Sequence, residues 1–331
     1  MVLPLVLAAA TCGVPLDLPP PPPQRPTYAL TATIGARTVQ GASRVTFALE
    51  RATDRIVFRL WPNMPVQSAL GARLTVRNVR VNGAAVDTTE PDPTTLVLER
   101  PLGAAERVTV SMSWTLQLPR RPTDRLAATS SGVRLSSFFP LLAWSGSDWA
   151  LDPPARQMET WTSPTADFDV RMKTAKGMRV FATGAAVGKG HWRATAVRDF
   201  VVDVGRHFKV ARRVVHAPAP VVITVAAESD LVFLRTYLDT ASEALVTYSK
   251  RYAPYPWRTF TVVITADSLS LGFEYPTLVF LSSDLPGFVA AHETAHQWFY
   301  SLVGNDQARD PWLDEALAQW ATARFGDSVA A

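Results

Sequence analysis

The residues best suited to chemistry stand late in the sequence, in the segment His292-Glu293-Thr294-Ala295-His296. Asp284 and Pro286 ahead of it are helix-start signals and Gly304 behind it is a stop, so the spacing predicts a helix. Side chains four apart on a helix leave the same face one turn apart, so both imidazoles can reach one metal ion about 2.0–2.1 Å away. Phe288, Ala295, Phe299 and Leu302 fall on that broad face, which predicts a site set into a core. A His pair at this spacing is equally compatible with ordinary surface polarity, and the pentapeptide alone does not decide between the two. Glu315 adds the deciding weight. It follows His296 after eighteen intervening residues, at the start of a second helix that Asp310-Pro311 opens and Gly326 ends. Two His and one Glu leave the fourth position of a zinc ion to water, the ligand set of a catalytic site, and Glu293 is then the general base for hydrolysis.

With these residues the sequence resembles the aminopeptidase N family of gluzincin zinc metallopeptidases, the membrane alanyl aminopeptidase type. That family's signature is the His-Glu pentapeptide, eighteen residues, then Glu in a Trp-Leu-Asn-Glu context; here the stretch reads Trp312-Leu313-Asp314-Glu315, with Asp314 in place of Asn. His296-Gln297-Trp298-Phe299 continues the likeness. Upstream, Leu271-Gly272-Phe273-Glu274-Tyr275-Pro276 looks like the family's Gly-Ala-Met-Glu-Asn motif in a Glu-Tyr-Pro variant, with Leu271 and Phe273 replacing the usual Gly and Met.

The resemblance implies one Zn2+ per chain on His292, His296 and Glu315, with Glu293 as catalytic base. It implies that Glu274 binds the free α-ammonium of a peptide, and that the extended backbone around it (Gly272, Phe273, Tyr275) hydrogen-bonds the peptide like an added strand. The expected activity is removal of N-terminal residues from peptides. A related endopeptidase without amine recognition and a non-catalytic zinc- or peptide-binding relative are the alternatives; Glu274 favours the first reading. The family also uses a tyrosine well downstream of the third ligand to stabilise the oxyanion. No tyrosine follows Tyr300, and the chain stops sixteen residues after Glu315. The expectation is therefore a thermolysin-like catalytic domain truncated at its C-terminus, with the transition-state tyrosine outside this chain.

The elements that position these residues change character along the chain. Val45, Phe47 and Leu49, then Ile56, Phe58 and Leu60, then Val108, Val110, Met112, Trp114 and Leu116 alternate with polar neighbours, the period of half-buried strands. Asn82-Gly83 marks a hairpin turn between them. These signals predict an N-terminal β-sandwich of antiparallel sheets over 27–216. Tyr28-Ala29-Leu30, Trp61-Pro62-Asn63 and Phe138-Phe139-Pro140 look like the family's saddle-shaped N-terminal domain. From Ser229, a cap, Leu231, Leu234, Leu238, Ala241, Leu245 and Tyr248 recur at helical spacing up to Pro254. Phe260, Val262 and Ile264 then alternate as a strand and two helical patterns follow, so 217–331 reads as α+β. The fold class is thus mixed β and α+β.

At 331 residues, 47% apolar and 19% charged, the chain is long enough for two cores. Its 33 basic and 29 acidic residues give +4 without long blocks, which argues against a nucleic-acid partner. The basic stretch Arg206 to Arg213 reads as the solvated face of an edge strand. Cys12 is the single cysteine, so a metal site must use His and carboxylates. Residues 1–26 read as a leader. The apolar run Val2 to Thr11 has the length of a signal-peptide core, and Cys12 at its end resembles a lipidated bacterial lipobox cysteine. A mis-assigned start codon or a frayed apolar terminus are the plainer readings, because no Lys or Arg precedes the run. The stretch Pro15 to Pro26 follows as a stiff tether or a plain disordered leader. The expectation is an exported, cell-envelope-associated or extracellular protein, with membrane association through Cys12.

Overall fold

The computed structural model describes residues 25–130, 132–154, 163–227, 234–265, 271–282 and 286–330. The leader with Cys12, the cap at Ser229 and the start signal Asp284 lie outside them.

Period-two alternation becomes strands with one face in a common core. Thr27–Ile34 buries every second residue from Tyr28 to Ile34, and Val108–Gln117 does so from Val108 to Leu116. Both belong to an eight-stranded sheet ordered Ala185–Gly188, His191–Val197, Ala166–Lys173, Thr27–Ile34, Thr38–Phe47, Val108–Gln117, Arg73–Val81, Ala84–Ala85. Two four-stranded sheets accompany it. One runs Arg179–Ala182, Val202–Gly205, Gly132–Leu135, Leu126–Ala128, and the other Leu141–Leu142, Ile56–Arg59, Thr95–Leu98, Thr88–Asp92. One core joins all three, and Tyr28 stacks on Phe168 at 4.6 Å within it. Each large apolar side chain fully buried there contributes about 1.5–3 kcal/mol. Asn82 and Gly83 turn the chain with φ of 51° and 85°, pairing Val81 with Ala84.

The expectation of purely antiparallel sheets needs one correction. Thr27–Ile34 pairs in parallel with Ala166–Lys173, Tyr28 opposite Phe168. A parallel pair needs a long crossover, which the intervening strands supply. A short helix, α1 (Pro65–Ala69), also interrupts the strands.

A five-stranded sheet follows, ordered Lys209–His216, Pro220–Ala227, Thr259–Thr265, Leu278–Ser282, Gly272–Phe273. Its first strand is the basic stretch, an edge, where Arg213 meets Asp239 at 2.6 Å. Such an exposed pair adds little stability. The three inner strands run parallel. Thr259–Thr265 is buried on both faces, not half-buried as its alternation suggests. Val262 and Ile264 pack toward the helices with Ile223, Val225 and Leu281. Val263, Ala226 and Phe280 pack the other way, against Phe181 and Phe208 of the N-terminal strands.

Three helices cover the first face. Helix α2 (Leu234–Arg251) buries Leu238, Ala241, Leu245 and Tyr248. Helix α3 (Pro286–Ala295) carries His292 and Glu293, with His296 in the turn that follows, and α4 (Trp312–Ala330) carries Glu315. Ala318, Ala321 and Phe325 form the buried seam of α4, with Phe325 edge-on to Tyr248 at 5.8 Å. Two helix ends differ from expectation. Helix α4 continues through Gly326, because a glycine inside a helix costs only about 1 kcal/mol and stops it only where it adopts the left-handed conformation. Helix α3 stops at Ala295, well before Gly304, for a reason that belongs to the site.

Candidate active site

Helix α3 opens on Pro286, whose fixed φ suits a first helical position. At its far end the bonds tighten: Gln297 N–H donates to the Thr294 carbonyl at 3.1 Å and Trp298 N–H to Ala295 at 2.9 Å. Tyr300 then takes φ 127°, a conformation that favours glycine. It is held there by its N–H on the Val303 carbonyl, 2.9 Å, and by Arg198 Nε on its own carbonyl, 3.0 Å. A Cβ at Gly304 would lie 1.5 Å from the Arg198 guanidinium. Gly304 is therefore a seat for Arg198, from the N-terminal strands, rather than a helix cap. The indole of Trp298 anchors the turn by donating to the Ala253 carbonyl at 2.7 Å.

Four residues of α3 and its last turn set the first half of the site. His296 is 1% exposed. Its Nδ1 lies 3.1 Å from the Phe299 carbonyl; a carbonyl only accepts, so the neutral ring carries its proton on Nδ1 and turns the Nε2 lone pair toward His292 and Glu315. His292 lies edge-on to His296, ring centres 4.8 Å apart, and stacks on Phe288. That contact corrects the expected apolar face. Ala295 is buried and Phe299 partly so, but Phe288 and Leu302 are exposed. Phe288 covers an imidazole instead of entering the core.

Helix α4 supplies the other half. Glu315 sits in its first turn, where the helix dipole favours a carboxylate, three residues before the buried Ala318. Glu315 Oε2 lies 3.3 Å from His292 Nε2 and 3.9 Å from His296 Nε2, and the two Nε2 atoms are 3.2 Å apart. Zinc–ligand bonds of 2.0–2.2 Å in a tetrahedron set neighbouring donors about 3.3 Å apart, so the donor set fits a zinc ion. The hydrogen bond with His292, helped by the His296 imidazole, holds the carboxyl of Glu315, whose side chain is 56% exposed, below its usual range.

Glu293 is buried, 5% exposed, and its Oε2 has no hydrogen-bond partner among the described residues. Burial first, then the nearby carboxylates of Glu274 and Glu315, pushes its pKa well up. A Cβ at Gly272 would lie 2.2 Å from Glu293 Oε1, so only a glycine lets the edge strand come this close. Glu274, also buried, brings a carboxylate oxygen within 4.8 Å of donor atoms on Glu293 and His296. Its other neighbour is the buried Gln307, whose amide donates to Asp314 Oδ2 at 3.0 Å and lies 3.4 Å from Glu274 Oε1. Burial, with Glu274 nearby, raises the Asp314 carboxyl.

The structure thus brings His292, His296, Glu315, Glu293, Glu274 and Gly272 together. Phe273 and Tyr275 differ: their side chains turn away, toward Arg125. The Tyr275 carbonyl is already taken by the Gln297 amide at 3.0 Å. Gln297, named above only as part of the likeness and given no role there, is a site residue. It is 0% exposed and its Oε1 accepts from Thr277 N–H at 2.8 Å, so it ties the Glu274 loop to α3. A glutamine on the inward side of an otherwise apolar helix end is the signal that could have found it.

No family model matches the chain. Over 96 residues, 27% of this chain, the sequence is 30% identical to aminopeptidase B of Mus musculus, and equally to those of Rattus norvegicus and Homo sapiens. That match spans 15% of the length of each relative. The structure resembles an M1 zinc metallopeptidase from Deinococcus radiodurans with a TM-score of 0.62 at 19% identity, over 93% of this chain and 72% of that one. It resembles a two-domain M1 zinc metallopeptidase variant bound to L-arginine with a TM-score of 0.64 at 18% identity, over 94% and 73%. A variant bound to L-tryptophan gives 0.62 at 18% identity over the same shares. The chain has the fold of these M1 zinc metallopeptidases.

Proposed function

We propose that this protein, on the M1 metallopeptidase fold, is a zinc-dependent aminopeptidase that hydrolyses N-terminal residues from peptides. The observation that carries the proposal is the triangle of His292 Nε2, His296 Nε2 and Glu315 Oε2, with edges of 3.2, 3.3 and 3.9 Å. A zinc ion held there supplies Lewis acidity toward the scissile carbonyl and brings the pKa of water down toward ~7.

The other roles fall to the chain. Glu293 accepts the proton of the attacking water and passes it to the leaving amine, a role worth on the order of 10²–10⁴ in rate. Its buried Oε2, without a hydrogen-bond partner among the described residues, is suited to taking and giving back a proton. Glu274 receives the α-ammonium of the substrate, a cation that offsets two buried carboxylates lying close together. Gly272–Phe273 is an edge strand of the five-stranded sheet, which supports binding of the peptide by strand addition. The amino acids found with the similar metallopeptidase variants support a free amine as the recognised group.

Glu293→Gln tests the assignment. It keeps shape and leaves the three ligands alone, so zinc content is expected to equal the parent's while turnover of aminoacyl anilides disappears. Turnover retained by Glu293→Gln overturns the role of the base.

A further inference from the structure

The segment around Glu274 alternates in direction. Gly272 and Glu274 face α3, the first against Glu293 and the second beside Glu293 and His296. Phe273 and Tyr275 face the opposite way, and both meet one residue, Arg125. The guanidinium carbon of Arg125 stands 4.8 Å from the centre of the Phe273 ring and 5.9 Å from that of Tyr275, and its Nη1 donates to the Tyr275 hydroxyl.

Arg125 belongs to the N-terminal strands, immediately before Leu126–Ala128, and is 9% exposed. Its own segment is fixed. Ser136 N–H donates to the Arg125 carbonyl at 2.9 Å, and the preceding turn is tied by Thr123 to Gln67 at 2.8 Å and by Arg134 to the Thr123 carbonyl at 3.0 Å. Burying a guanidinium is unfavourable unless its partners are well placed. A planar fork that stacks on one aromatic face while donating to a neighbouring hydroxyl is a geometry arginine provides and lysine does not. From the other side, Gln297 holds the segment at Tyr275 and Thr277. Glu274 therefore stands between two gripped neighbours, one grip coming from the N-terminal strands.

We propose that Arg125 is a positioning residue for amine recognition: by holding Phe273 and Tyr275 on either side of Glu274, it sets where that carboxylate meets the substrate's α-ammonium. The inference rests on the reading of Glu274 given above. Through Arg125 the N-terminal strands then take part in substrate selection.

Calorimetric titration with L-tryptophan, and with N-acetyl-L-tryptophan as the ligand lacking the ammonium, reads the interaction directly, with zinc content measured on the same samples. Arg125→Met is expected to weaken L-tryptophan binding on the order of ten-fold, as misalignment of a charged hydrogen bond does. It is expected to raise KM for an aminoacyl anilide by a similar factor while changing kcat much less, leaving zinc content and N-acetyl-L-tryptophan binding as in the parent. Tyr275→Phe removes only the hydroxyl, gives a smaller shift in the same direction, and decides the matter if Arg125→Met does not fold. Glu274→Gln, run alongside, separates the two claims. If Glu274→Gln leaves L-tryptophan affinity unchanged, the amine reading fails and the inference with it. If Glu274→Gln weakens binding while folded Arg125→Met and Tyr275→Phe bind as the parent does, Arg125 merely joins the two regions and the inference is overturned.

Discussion

Gly272→Ala probes the approach of the edge strand to Glu293 with a single methyl group. The added Cβ lies 2.2 Å from Glu293 Oε1, 2.5 Å from Cδ and 2.7 Å from Cγ, where ordinary contact begins at 3.4 Å. Glu293 is buried, so it has no solvent to retreat into; the carboxylate or the strand must move by about 1 Å. A displacement of that size at a catalytic group costs roughly 10²-fold in rate, equivalent to about 2.7 kcal/mol of barrier. Overpacking lowers stability by a further 1–3 kcal/mol or about that. The assay is steady-state hydrolysis of an aminoacyl anilide, with zinc content and thermal unfolding measured in parallel. The fall is expected chiefly in kcat, with zinc content unchanged because no ligand is touched. Gly287→Ala, on the same helix as Glu293 and with nothing within 4 Å of its added Cβ, is the control and keeps full activity. A Gly272→Ala protein whose kcat stays within about three-fold of the parent, or falls only in step with its zinc content, refutes the reasoning.

Two further outcomes follow from buried polar groups. Burial lifts the Asp199 carboxyl from 3.8 to about 6, against the hydrogen bonds donated by Ser137 and the Phe200 N–H. The folded protein holds this proton more tightly than the unfolded chain, so the ionised group is destabilising. The penalty is absent below about pH 4, grows between about pH 4 and 6, and reaches roughly 3 kcal/mol above that range. Asp199→Asn is expected to remove that slope in denaturant titrations run from pH 4 to 7, and a parallel decline in both proteins contradicts it. Gln297→Leu leaves the Thr277 N–H without the side-chain oxygen it donates to, and the Tyr275 carbonyl with the Leu278 N–H but not the Gln297 amide. A fall of about 2–5 kcal/mol in unfolding free energy is expected, with a raised KM as the Glu274 loop loosens; a change near zero contradicts the tie.

Legibility in the sequence depends on how local each signal is. The His292–His296 pair is written in helical spacing, and the turn that follows Ala295 keeps it, with the His296 N–H on the His292 carbonyl at 3.3 Å. Glu315 is legible as a residue, but its 3.3 Å approach to His292 depends on the seam of Ala318, Ala321 and Phe325 packing α4 among the other helices. Period two marks Thr27–Ile34 and Ala166–Lys173 as strands yet says nothing of direction, so their parallel pairing could not be read. Thr259–Thr265 misleads for a related reason. Its alternation separates two buried cores, because the N-terminal strands cover the face that would otherwise meet water. The continuous apolar strands Pro220–Ala227 and Leu278–Ser282 carry no alternation to find. The contacts of Arg125, Arg198 and Gly304 join residues about a hundred or more positions apart in the chain and exist only in the folded molecule.

Under the proposed function, zinc on His292, His296 and Glu315 acts with Glu293, and Glu274 demands a free amine. The measurement closest to this proposal compares hydrolysis of an aminoacyl anilide with that of its N-acetylated form by the zinc-loaded protein. Acetylation removes the ammonium assigned to Glu274 in that proposal, so turnover of the free amine and a rate at least on the order of 10²-fold lower for the acetylated substrate are expected. Equal hydrolysis of the two forms, or bound zinc with hydrolysis of neither, contradicts it.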